Sequence, residues 1–539
     1  MTSLDKTWMA FAAICTVCST SISAAQPISL APAAMPAIGT VDVRYQSYNV
    51  EMAEVVGGNF WKPYAKKSLA TPSAGPTSGP SKSGLSTRGD GPQQIGESSI
   101  LEPRPPINLA DPRLRKLAAA LGPAFVRVSG TWANSVYFHD SDTPAPTTPP
   151  KGFTSVLTRN EWQGVVDFAR KVDAKLVTSF AFSPGVRNEA GVWTTDQAES
   201  FLDYTKSLGG EIVAVEFVNE PNLPTEGGAP PGYSASAYAR DFAIFHRFIK
   251  AKVPGMRIAG PGTVGEGDAL SITATSRPLF TTLQILAALA PPRFDIFSYH
   301  SYPAASVRCA FFGHTAQTVE EDALSDEWLA RSDPIHAFYL RLRDRYEPRR
   351  PAWITEIADA ACGGNPWAST FLDSFRYLDQ LGRLAKTGIQ VVFHNTLASS
   401  DYGLLDQDTF KPRPNYWAAL LWHKLMSAKV LDAGRPWPGL KLYAHCLAGH
   451  PGGVSILAIN NSRTDQRSLE LSLASQRYRL TSQPLDSPRI ELNGNELKLQ
   501  ANDELPALRG DHVPPGYIEL PPASITFLAV RDARNADCK

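Results

Sequence analysis

The stretch IVAVEFVNEPN, residues 212–222, decides the fold class. Ile212, Val213, Ala214 and Val215 form a short apolar run without polar alternation, the pattern of a parallel strand buried on both faces. The run then meets Asn219 and Glu220, and Pro221 stops the strand. An acid where an apolar strand becomes a loop is what the C-terminal end of a barrel strand looks like. Working outward, similar runs occur at 45–50, 124–128, 175–182, 257–259, 294–299, 352–355 and 390–393. Helical patterns fall between them at 112–121, 160–172, 195–208, 235–252, 334–346 and 368–386. Eight strands alternating with helices predict a (β/α)8, or TIM, barrel over 41–425.

The flanks read differently. After about residue 425 the helical pattern ends, and short alternating runs at 441–445, 453–460, 468–473 and 524–530 predict an antiparallel β-sandwich over 426–539. The segment 26–40 is expected to add a strand to it. Residues 68–106 are dominated by Ser, Gly, Pro and Thr and predict a flexible insertion; 140–152 is a shorter stretch of the same kind. Residues 1–25 pair Lys6 and an apolar run with the small residues Ser21–Ala25, the pattern of a cleaved export signal, and predict a secreted or periplasmic protein. No run is long enough for a bilayer, so stable membrane insertion is not expected. Beyond residue 25 stand Cys309, Cys362, Cys446 and Cys538, an even number that implies two disulfides in an exported chain. Their spacing is not that of a zinc site, and neither a metal nor a cofactor is expected. Lys plus Arg and Asp plus Glu stand at 52 each, so no global field draws nucleic acid. The sequence is silent on oligomeric state.

The seventh strand ends in WITE, with Glu356 in the position that Glu220 holds on the fourth. Two carboxylates facing each other across a barrel mouth are the equipment of glycoside cleavage: an acid protonates the departing oxygen and a carboxylate attacks the anomeric carbon. A retaining enzyme keeps them about 5–5.5 Å apart. Asn219 is placed to donate to the sugar 2-hydroxyl.

With strands four and seven so equipped, the chain resembles the heparanase and β-glucuronidase family of clan A retaining glycoside hydrolases. The resemblance rests on SYNVEM (47–52), FVRVSGTWANSVYF (125–138), VEFVNEPN (215–222), WITEIADAACGG (353–364), SDYGLLD (400–406) and NYWAALLWHKLMSAKVL (415–431). It implies Glu220 as acid/base, which must be protonated before attack, and Glu356 as a nucleophile that must be ionised. It further implies Glu51, Asn219 and Gln390 as sugar contacts, and Gly363 and Gly364 with Tyr402 as the grip on a uronate carboxylate. Arg127, His300 and Tyr302 take supporting places, the last two where a residue orienting the nucleophile is found. The pairs implied are Cys446–Cys538 in the sandwich and Cys309–Cys362 between the sixth and seventh loops. Cys362 stands where relatives often carry another glycine, so the loop is expected to be pinned. About two dozen residues separate Phe138 from Trp162, too few for the excised linker of mammalian heparanase, which predicts a single-chain enzyme.

The activity so implied is hydrolysis of β-glucuronides, exo-acting on terminal glucuronic acid of a glycan. Segments 220–232 and 356–367 contain no Lys or Arg, against the basic cleft expected of an endo-enzyme cutting heparan sulfate chains. A neutral-glycoside hydrolase and a non-catalytic sugar-binding protein on the same scaffold complete the alternatives.

Overall fold

The computed structural model describes residues 27–64, 100–225, 227–267, 280–291, 293–312 and 317–539. The export-signal segment and residues 68–99 of the insertion lie outside them. Eight parallel strands close a barrel: β1 (Gln46–Glu51), β2 (Ala124–Ser129), β3 (Ala174–Thr178), β4 (Ile212–Glu216), β5 (Arg257–Thr263), β6 (Ile296–Ser301), β7 (Ala352–Ile357) and β8 (Ile389–His394), with β8 pairing back onto β1. All eight fall where the apolar runs predict them. Two differ markedly in length. The third ends at Thr178 rather than reaching Phe182: Phe180 and Phe182 donate to the carbonyls of Phe217 and Asn134, in the segments that follow the flanking strands β4 and β2. The fifth runs on to Thr263 through Gly260 and Pro261, where a register shift against β6 absorbs the proline.

Helices cover the barrel because each carries an apolar stripe. In Arg159–Lys171 the Thr158 hydroxyl accepts from the Glu161 amide while Glu161 accepts from the Thr158 amide, and Trp162, Val165, Val166 and Ala169 face inward. The barrel axis is filled by Phe125, Val177, Ala214, Ala259, Ile296, Trp353, Val391 and Phe393. The plug leaves only the mouth at the C-terminal strand ends to carry chemistry.

Beyond the last helix, Pro414–Leu425, the chain forms two sheets. The large one centres on Leu440–Leu447, Val454–Asn460, Ser524–Val530 and Ser475–Thr481; the small one pairs Arg467–Leu471 with Gly516–Leu520. Segment 26–40 contributes to both, Ile28–Leu30 to the small sheet and Ala37–Thr40 to the large. Leu442, Ile456 and Leu528 pack against the small sheet, while Tyr443, Leu457 and Phe527 pack in the core shared with the barrel helices. A sheet covered on both faces explains why Leu440–Leu447 is buried throughout. Cys446–Cys538 forms in this region and Cys309–Cys362 at the barrel mouth, the pairings the resemblance implied.

The end of the predicted insertion is ordered: Leu101–Arg104 pairs with Gly58–Trp61 beside the mouth. Segment 140–152 likewise has fixed ends, since Val136–His139 pairs with Ser155–Thr158 and Arg159 binds Asp140 and Asp142. Backbone pairing, which composition does not encode, fixes the ends of these stretches. No helix among the described residues is long and apolar enough to cross a membrane.

Candidate active site

Arg127 on β2 organises the mouth. It is fully buried, and a buried guanidinium must be paired in several directions. Nε donates to Glu216 at 2.9 Å, Nη1 to Glu356 at 3.1 Å and Nη2 to Asn219 Oδ1 at 2.7 Å. Glu216, 1% exposed at the end of β4, also accepts from Ser298 at 2.9 Å and Thr355 at 2.8 Å. Burial alone would lift the Glu216 carboxyl, but Arg127, His300 and the two hydroxyls outweigh it and hold its pKa below the usual value. Asn134 fixes Asn219, accepting from its amide and donating to its carbonyl, both at 2.9 Å.

Glu220 and Glu356 face each other over this lattice. With His300 they present polar atoms that all lie within 4.8 Å of one another. The two carboxylates are therefore as close as a retaining pair and well short of the roughly 6.5–9.5 Å of an inverting one. Glu220 holds φ at +47°, a left-handed backbone that costs a non-glycine residue about 1–3 kcal/mol, and its amide donates to Gly262. His300 touches both acids, Nδ1 lying 2.9 Å from Glu220 Oε1 and 3.7 Å from Glu356 Oε2. Its Nε2 lies 3.3 Å from Arg127 Nη2, a group that can only donate. Nε2 must accept, so the proton sits on Nδ1 and is given to Glu220. Burial, reinforced by Arg127 against Glu356 and Glu216, lowers the His300 pKa to about 4, which keeps the ring neutral at ordinary pH. Tyr302 donates to Glu356 Oε1 at 2.5 Å. The two residues expected to orient the nucleophile thus divide the work: Tyr302 holds Glu356 and His300 primarily holds Glu220. Glu220, His300 and Glu356 are also the one group among the described residues spaced to share a metal ion. That donor set fits a cation poorly, because a guanidinium already sits against both Glu356 and His300.

Glu51 ends β1 with 3% exposure. A Cβ on Gly130 would collide with its carboxylate, so glycine is required there. Burial and then Glu356 push the Glu51 pKa well up, only partly opposed by Arg127.

The seventh loop brings Cys362, Gly363 and Gly364 to φ of +65°, +85° and +92° in succession. Both glycine carbonyls are engaged: Gly363 O accepts from Ser400 Oγ at 2.9 Å and Asp401 N at 3.1 Å, and Gly364 O from Ser306 Oγ at 2.6 Å. A Cβ on Gly363 would lie 2.5 Å from Trp61 Cβ, and one on Gly364 3.1 Å from the Tyr402 amide. Tyr402 is 2% exposed, clusters with Trp61 and Tyr302, and shares Asn395 Nδ2 with Tyr302, at 3.4 and 3.1 Å. Burial, then Glu51 and Glu356, raise the Tyr402 pKa well above the ordinary value, so it remains a donor.

The structure thus brings Glu51, Arg127, Asn219, Glu220, His300, Tyr302, Glu356, Gly363, Gly364 and Tyr402 to one mouth. Gln390 does not join them. It lies at the start of β8, the opposite end of the barrel, donating to Thr40 O at 2.9 Å. A strand carries one of its ends to the mouth, and here that end bears Asn395. Asn134, Glu216 and Asn395 were missed by sequence reading. Only Glu216 had a local signal, a charge inside an apolar run that has to be paired when buried.

Comparison with known proteins agrees with this geometry. The profile of glycosyl hydrolase family 79, N-terminal domain, matches residues 95–382. Heparanase-like protein 1 of Arabidopsis thaliana is 28% identical over 392 residues, 70% of this chain and 68% of that protein. Heparanase of Bos taurus is 26% identical over 503 residues, 82% and 88% of the two chains. Hyaluronoglucuronidase of Hirudo nipponia is 25% identical over 481 residues, 80% and 92%. Among solved structures, a 4-O-α-L-rhamnosyl-β-D-glucuronidase of Fusarium oxysporum superposes with a TM-score of 0.60 at 12% identity, covering 93% of this chain and 100% of that one, a likeness of fold. The chain belongs to glycosyl hydrolase family 79, in clan A, and is a glycoside hydrolase.

Proposed function

We propose that the chain hydrolyses β-glucuronides with retention of configuration, exo-acting on terminal glucuronic acid of a glycan. The observation that carries it is the Glu220–Glu356 pair facing a loop of Gly363 and Gly364 whose carbonyls are both turned to protein donors. That arrangement leaves the amide edge of the loop and Tyr402 Oη for a carboxylate. In the first step Glu356, held by Arg127 and Tyr302, attacks the anomeric carbon while Glu220 protonates the departing oxygen, giving a covalent glycosyl-enzyme. In the second, Glu220 takes a proton from water, which displaces Glu356. Asn219 Oδ1 is held by Arg127, so its Nδ2 is oriented toward the sugar 2-hydroxyl.

Exo action is favoured by the wall beside the glycine loop. Arg308 binds Asp401 at 2.7 Å and stacks on Tyr64 at 3.9 Å, which ties the segment after β1 to the loops after β6 and β8. Its charge is spent inside the protein rather than on a sulfated chain. Two disulfides fit a protein exported to an oxidising compartment. A panel of aryl β-glycosides tests the sugar: the glucuronide should be cleaved fastest, and faster release from the glucoside would refute the uronate assignment. Product sizing on a glucuronate-containing oligosaccharide tests the mode. Single monosaccharides are expected, and internal fragments would assign the endo reading that relatives named heparanase represent.

A further inference from the structure

We propose that the Cys309–Cys362 disulfide and the neighbouring Arg308 are positioning residues for Gly363 and Gly364, and that this clasp sets the preference for an acidic over a neutral sugar. The inference rests on the glucuronidase reading above and concerns what makes that preference possible.

A glycine pair loses more conformational freedom on ordering than any other dipeptide, and a loop that grips an anion through its backbone works only when it is ordered beforehand. The restraint has to come from outside the loop. Cys362, immediately before Gly363, is itself held at positive φ and is covalently joined to Cys309 on the sixth loop. The two loops run side by side: Ala305 bridges Ala361, Ala361 N donates to Ala304 O at 2.9 Å and Ser306 N donates to Ala361 O at 3.0 Å. Ser306 then supplies the hydroxyl on Gly364 O, and its backbone carbonyl accepts from Cys309 N at 2.9 Å.

The second glycine contact runs through Arg308. Its bond to Asp401 fixes the residue whose amide reaches Gly363 O, and Asp401 in turn accepts from Tyr64 N at 3.1 Å. Tyr64 Oη closes the ring by pairing with Ser306 Oγ at 2.8 Å. Each glycine carbonyl is therefore held by a partner that the disulfide or Arg308 anchors. The other bridge, Cys446–Cys538, touches none of these groups.

The experiment compares Cys309→Ala/Cys362→Ala with the parent on an aryl β-glucuronide and the matching aryl β-xyloside, which lacks the carboxylate. The loop contact is made alike in ground and transition states, so KM for the glucuronide should rise by about tenfold with kcat changed only a few-fold. The xyloside should be little affected, which narrows the ratio of the two kcat/KM values by about tenfold. Cys446→Ser/Cys538→Ser should lower Tm without altering either KM. Should the first double variant not fold, Arg308→Gln is expected to show the same selective rise and Arg308→Lys to recover part of it. An unchanged glucuronide KM, or equal losses on both substrates, overturns the proposal. A parent enzyme that prefers the neutral sugar would instead overturn the glucuronidase reading.

Discussion

The mouth of the barrel has two halves built by different means. One is borne by strands: Arg127, Glu216, Asn219, Glu220, His300 and Glu356 project from the ends of β2, β4, β6 and β7, and their charges hold one another. The other is borne by loops: Gly363, Gly364, Tyr402, Ser306 and Arg308 owe their places to contacts between loop segments and a disulfide. The difference is one of rigidity against adaptability. Strand ends fix reacting atoms to within a fraction of an ångström, as bond making requires, whereas loops can change to suit a substrate without disturbing the chemistry.

The sharpest break in this comparison is Glu356→Ala in the strand-borne half. Removing the carboxylate proposed to attack should cost on the order of 10⁴-fold or more in kcat on an aryl glucuronide. Glu220→Ala should spare activated leaving groups and cost most where the aglycone needs protonation. Near-normal turnover in Glu356→Ala would assign the nucleophile elsewhere.

Next in size is Arg127→Met, which removes the cation from between Glu216 and Glu356. An uncompensated buried charge is worth about 3–5 kcal/mol of stability, so Tm should fall by many degrees, with kcat lost as well. A variant with parental Tm would show that the lattice does not support the fold. Gly363→Ala probes the loop-borne half. It places a Cβ at 2.5 Å from Trp61 Cβ at φ +85°, and is expected to raise KM for the glucuronide about tenfold with a smaller change in kcat. A loss confined to kcat would assign the loop to the chemical step.

The two halves also differ in how far the sequence disclosed them. The strand-borne half is written locally: an acid at the end of an apolar run marks Glu220 and Glu356, and counting strands places them at positions four and seven. The loop-borne half depends on which distant segments meet. Ser306 and Arg308 carry no pattern of their own, and Asn395 is one polar residue among several after β8. Gln390 shows the cost of reading a strand without its direction, since the right strand was chosen and the wrong end. Leu101–Arg104 shows the converse, a compositionally plain stretch ordered by its partner Gly58–Trp61.

The smallest effect links the halves through His394, at the end of β8, whose Nε2 donates to Tyr402 O at 2.7 Å. Burial foremost, with Arg376 adding to it, lowers its pKa to about 3. A histidine depressed in the folded state contributes stability that is present above the unfolded value, about 6.5, and lost as pH falls toward 3. His394→Gln loses the neutral ring's packing and has no proton to take up. At pH 7 the variant should be less stable by about 1 kcal/mol, the worth of one hydrogen bond. At pH 4 the parent has lost up to about 3 kcal/mol from this group, so the gap should close or reverse. Melting temperatures of both proteins at pH 7 and pH 4 measure it. A gap that widens in acid would mean that the folded protein accepts the proton, and that β8 yields locally where Tyr402 is anchored.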